Sequence, residues 1–350
     1  MISAVLEGGW IVDGSGRPRF ATDLGIDRDR IVRIGDCAEL DAVMRIDVRG
    51  AIVAPGFIDA GSPGPAKRAQ GITTDLRAAG NLDMLLREDA PQFAAVEDIE
   101  RASHDARLHV TNLRVEWPRG RGEMHRLLER IDRANDRGAD ITCDVTPYVA
   151  TWIDLPTLLP ANVTRASLDD DAVAAVTALE MQARLDRRLH DIVLAEVGSE
   201  ERARWCGMRI DDIGTQMRLS PARAAVELIR DEGESALAFA FCLNEDDIAT
   251  AFSASFCMPG SHPRVVGAFP RVFGRYVRGR GVFSLEEAVA RSSALPARTF
   301  GLRERGTIAP GSYADLVVFD EATFRDAATY ETPDALPVGV RHVFVNGESV

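Results

Sequence analysis

The run Ile52-Val53-Ala54-Pro55-Gly56-Phe57-Ile58-Asp59-Ala60-Gly61-Ser62-Pro63 constrains this chain more than any other stretch. It reads as a buried apolar strand, opened by Pro-Gly and closed by a polar tip that starts at Asp59. A strand without alternation is covered on both faces, the habit of parallel sheets packed between helices. In such folds chemistry gathers where the strands end, so the tip is where functional side chains are expected.

The flanking sequence places this strand within an α/β fold. Residues 1–51 alternate at period two in short runs, for example Trp10-Ile11-Val12 before Asp13-Gly14-Ser15-Gly16 and Arg30-Ile31-Val32-Arg33-Ile34. The C-terminus returns to that style at 314–320 and 342–347. Strands at both ends predict one small β-sandwich over 1–51 and 305–350. Between them, residues 52–304 alternate strand-like and helical segments, the pattern of a (β/α) barrel. Candidate barrel strands are 52–60, 71–77, 108–115, 139–146, 191–196, 236–242 and 252–258. Met124, Leu127, Leu128, Ile131 and Ala134 recur at 3- and 4-residue spacing and predict a helix over 123–136. Ser220-Pro221 and Ser284-Leu285-Glu286-Glu287 are start signals for two more. The count is about seven strands where a barrel of this kind has eight. Only residues 75–110 separate two strands there, room for about one βα unit. The expectation is a reduced or incomplete TIM-like barrel.

Several quoted runs together resemble the amidohydrolase superfamily, in particular its N-acyl-D-amino-acid deacylase branch. Pro55-Gly56-Phe57-Ile58-Asp59 is similar to that branch's P-G-F-I-D-x-H-x-H run. Gly306-Thr307-Ile308-Ala309-Pro310-Gly311-Ser312-Tyr313-Ala314-Asp315-Leu316 is similar to its G-x-I-x-P-G-x-x-A-D-L run. Asp144-Val145-Thr146-Pro147-Tyr148 and His262-Pro263-Arg264 resemble two further segments, D-x-Y-P-Y and H-P-R. The resemblance implies a barrel with a terminal β-sandwich, a catalytic zinc, and hydrolysis of an N-acyl amide bond.

At the positions where the resemblance implies metal ligands, this chain carries other residues. Gly61 and Pro63 stand at the two histidines of H-x-H, Gly80 at a cysteine, and Asn112 at the histidine of S-H-x-K. From Ala251 to Arg264 there is no Asp or Glu to act as the general base. A zinc hydrolase needs about three protein ligands, an open position and a base. The expectation is a chain without metal or other cofactor. The resemblance also implies that Arg114 and Arg264 keep the positive charges that grip a substrate carboxylate, a task suited to the guanidinium fork. The bland alternative is that they pair with Asp144, Asp75 or Glu116. Asp75 and Arg77, two apart on a strand, share a face and form either a binding pair or a structural ion pair. Asn112 borders the same substrate-binding group. Asp144, Tyr148 and His262 are candidates for proton transfer. Cys257 with His262 is weighed as a nucleophile and base, against a core cysteine beside a structural histidine.

A net charge of −13 on 350 residues argues against nucleic-acid binding. No apolar run approaches the roughly 20 residues of a membrane span, and the first residues do not read as a signal peptide. Five scattered cysteines suit a reducing cytoplasm. Three functional readings follow. The first is a metal-free pseudoenzyme acting as a scaffolding or regulatory subunit, in a homo-oligomer or beside an active amidohydrolase-like chain, with a small carboxylate ligand as a further binding partner. The second is a metal-independent cyclase, lyase or isomerase acting on an acylated or carboxylate-bearing metabolite. The third is a zinc-dependent N-acyl-D-amino-acid deacylase.

Overall fold

In the computed structural model the described residues are 1–61, 66–76, 85–87, 107–114, 123–262, 264–330 and 332–350. They divide into two compact units, Met1–Pro147 with Asn244–Val350, and Tyr148–Leu243.

The first unit contains an eight-stranded sheet drawn from both termini. Its order runs Glu348–Ser349, Val340–Val345, Leu316–Phe319, Ile52–Pro55, Ile2–Ile11, Phe20–Asp27, Arg30–Ile34, and Ala42–Asp47 also pairs with Ile2–Ile11. Leu6, Ile11, Leu24, Ile26, Val53, Leu316, Val318 and Phe344 supply its core, all buried. The period-two apolar pattern dictates this, because alternate residues of a strand point to one face.

Pro55 ends a strand of that sheet and Phe57–Asp59 starts a new one, so the run expected as one strand is two. Gly56 makes the junction possible: a methyl group there would overlap the Thr73 side chain. Its N–H donates to the Asp315 carbonyl at 2.8 Å. Phe57 enters a cluster with Phe269, Phe273, Phe319 and Phe324, its ring centroid 5.6 Å from Phe269 and 5.2 Å from Phe273.

Phe57–Asp59 pairs in parallel with Ile72–Asp75. A second parallel group has the order Cys257–Pro259, Ile141–Val145, Leu108–Val110, Leu85–Arg87. The strand Leu85–Arg87 falls within the short stretch where the sequence showed none. Helix Met124–Asp136 links Leu108–Val110 to Ile141–Val145 and buries the five apolar residues whose spacing predicted it. Ser220 caps the helix Pro221–Glu232 through the Arg223 N–H, and the capping box at Ser284 and Glu287 starts Leu285–Ser292.

The strands expected at 191–196 and 236–242 do form, as Ile192–Glu196 and Leu237–Ala240, but in the second unit. There they are antiparallel and share a sheet with Thr151–Asp154. A short apolar run carries no mark of parallel or antiparallel pairing, which is why the sequence could not sort them. Of the strand expected at 252–258, residues up to Ser253 belong to the helix Glu245–Ser253, and the strand is Cys257–Pro259.

Candidate functional site

Parallel strands expose their last carbonyls and side chains at one end, and in the first unit two fully buried carboxylates stand there. Asp59 ends its strand with no exposure, and Asp144 lies next to last in Ile141–Val145 with 2%. The dipeptide Gly260-Ser261, just past Cys257–Pro259, touches both. Ser261 donates to Asp59 from its hydroxyl and, at 3.2 Å, from its N–H. Gly260 lies so close to the Asp144 carboxylate that a side chain there would collide with it, and its N–H donates to the Val145 carbonyl at 3.0 Å.

Around Asp59 the Gly61 N–H adds a third donor at 2.9 Å. Lys67 brings its ammonium into an ion pair with Asp75 and to 3.9 Å from Asp59 Oδ2. Asp59 and Asp75 are register partners on their two strands. Burial pushes the Asp59 carboxyl above the usual carboxylate range, and the Ser261 and Gly61 hydrogen bonds and Lys67 oppose that rise.

Around Asp144, His109 Nε2 lies 2.9 Å from Oδ2 while Nδ1 lies 2.8 Å from the Thr142 hydroxyl. The other carboxylate oxygen accepts from the Asn112 N–H at 3.0 Å. Asn112 itself is left-handed, with φ 52°, so Asp144 fixes the turn that follows Leu108–Val110.

The residues singled out from the sequence distribute as follows. Asp144, Asp75 and Asn112 stand at these strand ends; Arg114 is half-buried beyond the Asn112 turn, His262 is half-buried and Arg264 is exposed. Tyr148 belongs to the second unit, so the first unit does not contain it. Pro63, Arg77 and Gly80 lie outside the described residues, as does Glu116. Cys257, weighed as a partner of His262, is fully buried mid-wall in register with Cys143, and hydrogen bonding with Cys257 together with burial pushes the Cys143 thiol well up. With no exposure, Cys257 is core packing rather than a nucleophile. From the sequence, Lys67 is set aside as a loop residue unable to bridge a metal, and His109 carries no motif that singles it out. Lys67 had one visible signal, as the single lysine of the chain.

The described residues do not fit a zinc ion. None of them form a group of three or more His, Cys, Asp or Glu side chains able to hold a metal. At Gly61 a side chain would run into the Ser261 backbone carbonyl, so this position has no room for a ligand-bearing residue. Asp59 accepts from the Gly61 and Ser261 N–H groups and the Ser261 hydroxyl, and Asp75 pairs with the Lys67 ammonium.

A parallel wall with polar groups gathered at its carboxyl ends, beside a sheet woven from both termini, is an α/β architecture of the amidohydrolase type. Residues 245–350 match the amidohydrolase family. The N-acyl-D-glutamate deacylase of Alcaligenes xylosoxydans xylosoxydans is 30% identical over 489 aligned positions, spanning 100% of this chain and 93% of that protein. The D-aminoacylase of the same organism is 27% identical over 99% of this chain and 94% of its own length. A crystal structure of N-acyl-D-glutamate deacylase from Bordetella bronchiseptica, complexed with zinc and a phosphonate mimic of the tetrahedral intermediate, superposes with a TM-score of 0.79. It is 24% identical and covers 100% of this chain and 96% of that one. This chain belongs to the amidohydrolase family, in its N-acyl-D-amino-acid deacylase branch. No helix among the described residues is long and apolar enough to cross a membrane.

Proposed function

We propose that the ligand of this chain is an N-acyl-D-amino acid and that hydrolysis of its amide bond is the activity the comparisons favour. The observation that carries this is the match to an N-acyl-D-glutamate deacylase along the whole chain at 30% identity. In this reading Arg114 and Arg264 bind the ligand carboxylate, since a guanidinium pairs with it bidentately. The relative's zinc, as Lewis acid, would polarise the scissile carbonyl and lower the pKa of a bound water. The described residues supply no cradle for that ion.

A second reading is favoured by the strand ends themselves. Asp59, Asp75 and Asp144 are engaged by Lys67, Ser261, His109 and the Asn112 N–H, which supports a reading in which protein groups and not a metal occupy these strand ends. Metal-free chemistry on the bound ligand, or a scaffolding or regulatory role in a homo-oligomer or beside an active homologous chain, both belong to this reading.

The deciding experiment combines elemental analysis, calorimetry with N-acetyl-D-glutamate and its L-enantiomer, and an assay for released D-glutamate. Turnover with about one zinc per chain establishes the hydrolase. D-selective binding without zinc or turnover establishes the second reading, and light scattering then gives the oligomeric state. No binding of either enantiomer sinks the ligand class.

A further inference from the structure

Every basic residue of this chain except Lys67 is arginine, out of 41 Lys and Arg together. A composition that uses arginine so consistently has a lysine at one position, and that position is inside the site. The Lys67 side chain is only 13% exposed and sits between Asp75, with which it pairs, and Asp59, whose side chain has no exposure at all. The two aspartates are register partners at the ends of neighbouring parallel strands, which lie about 4.8 Å apart. Like charges so placed repel, and a cation between them offsets that repulsion. An ammonium is a compact point charge on a thin stem and fits such a gap; a planar guanidinium with five fixed donors does not.

We infer that the Lys67 ammonium is the resident cation of these strand ends, a positioning residue that fills the place between Asp59 and Asp75 that a divalent ion would otherwise take. The inference rests on the second reading above, that the site is not a zinc centre. Asp59 beside the ammonium also accepts from the Ser261 hydroxyl and N–H, and the Gly260-Ser261 dipeptide lies against Asp144. Removing the ammonium takes a positive charge away from two carboxylates and a hydroxyl, hard oxygen donors of the kind Mn²⁺ takes.

The test uses Mn²⁺ alone, read by the paramagnetic resonance signal of the free ion, with the full chain and with Lys67→Ala, Lys67→Arg and the double variant Lys67→Ala/Asp75→Asn. The expected result is no uptake by the natural chain, about one Mn²⁺ per chain for Lys67→Ala, and loss of that uptake in the double variant. Equal Mn²⁺ uptake by the natural chain and Lys67→Ala, or none by a folded Lys67→Ala, overturns the inference. A second measurement needs no variant. Lys67 and the N-terminus are the only amines, so an amine reagent followed by peptide mass mapping compares them directly. Lys67 is expected to react at least about tenfold more slowly than an exposed amine, because labelling requires local opening. Lys67 labelled as fast as the N-terminus in a zinc-free chain sinks this inference alone. Stoichiometric zinc in a chain whose Lys67 is still protected sinks the metal-free reading alone.

Discussion

His109 Nε2 faces Asp144 Oδ2 at 2.9 Å across two adjacent parallel strands, and neither side chain is more than 2% exposed. The Thr142 hydroxyl holds the other ring nitrogen, and the second carboxylate oxygen caps the Asn112 turn. Asp144→Ala would strip an acceptor from both a buried imidazole and a backbone N–H. The expected loss is about 3 kcal/mol or more in urea unfolding, because buried polar groups would be left unmatched. Thr142→Val, which removes one neutral hydrogen bond, should cost about 1 kcal/mol. A loss for Asp144→Ala no larger than that for Thr142→Val would mean that the carboxylate does not organise these strand ends.

Gly61, where the resemblance implies the first histidine of H-x-H, lies against the Ser261 carbonyl. Restoring the family residue by Gly61→His should therefore not restore a metal centre. The expected outcome is destabilisation by about 1–3 kcal/mol, as for other overpacked sites, with the zinc content unchanged. Thermal unfolding and elemental analysis of the variant check both halves. Zinc uptake by Gly61→His would show that one missing ligand was all that separated this site from that of its relatives.

Phe57 ties the first strand of the parallel wall to Phe319 of the terminal sheet and to Phe269, Phe273 and Phe324. It is fully buried, so Phe57→Ala opens a cavity at the centre of the first unit. A loss of about 3–5 kcal/mol in denaturant unfolding is expected, from transfer and cavity terms together. A loss below about 1 kcal/mol would show that the neighbouring rings collapse into the space.

Ser284 and Glu287 bond each other's backbone N–H at the start of Leu285–Ser292. The Ser284 N–H and hydroxyl hold the Glu287 carboxyl below its usual range. A lowered folded pKa means that the unfolded chain binds the proton more readily. The contribution is therefore complete above the unfolded value and is lost as pH falls through the folded one. Ser284→Ala should cost about 1 kcal/mol at neutral pH. It should also shrink the stability lost on acidification, which melts of both proteins between about pH 7 and pH 3 would display. Parallel curves for the two proteins would mean that the carboxylate gains nothing from the cap.

Much of the secondary structure is legible in the sequence. The helix over Met124–Asp136 was legible because five apolar residues at helical spacing bury one face, and the capped helix starts because Ser, Pro and Glu have fixed tasks there. The Pro55-Gly56 break was legible as punctuation, but the transfer of the chain from one sheet to another at that break was not. The apolar runs in Ile192–Glu196 and Leu237–Ala240 announced strands without saying which neighbours they would choose. In the site, Asp75, Asn112 and Asp144 could be nominated because they sit in motif-bearing runs at strand ends. Lys67 could not, because its meaning depends on two carboxylates contributed by different strands.

The lineage of this protein, its apolar strands and its helix faces can be read from the residues alone. These are properties of residue identity and short-range spacing. Only the tertiary structure decided that Lys67 would stand between Asp59 and Asp75, that Ser261 would reach back to Asp59 across 202 residues, and that His109 would find Asp144. Those contacts follow from the register of parallel strands whose partners are distant in sequence, and no local pattern encodes that register.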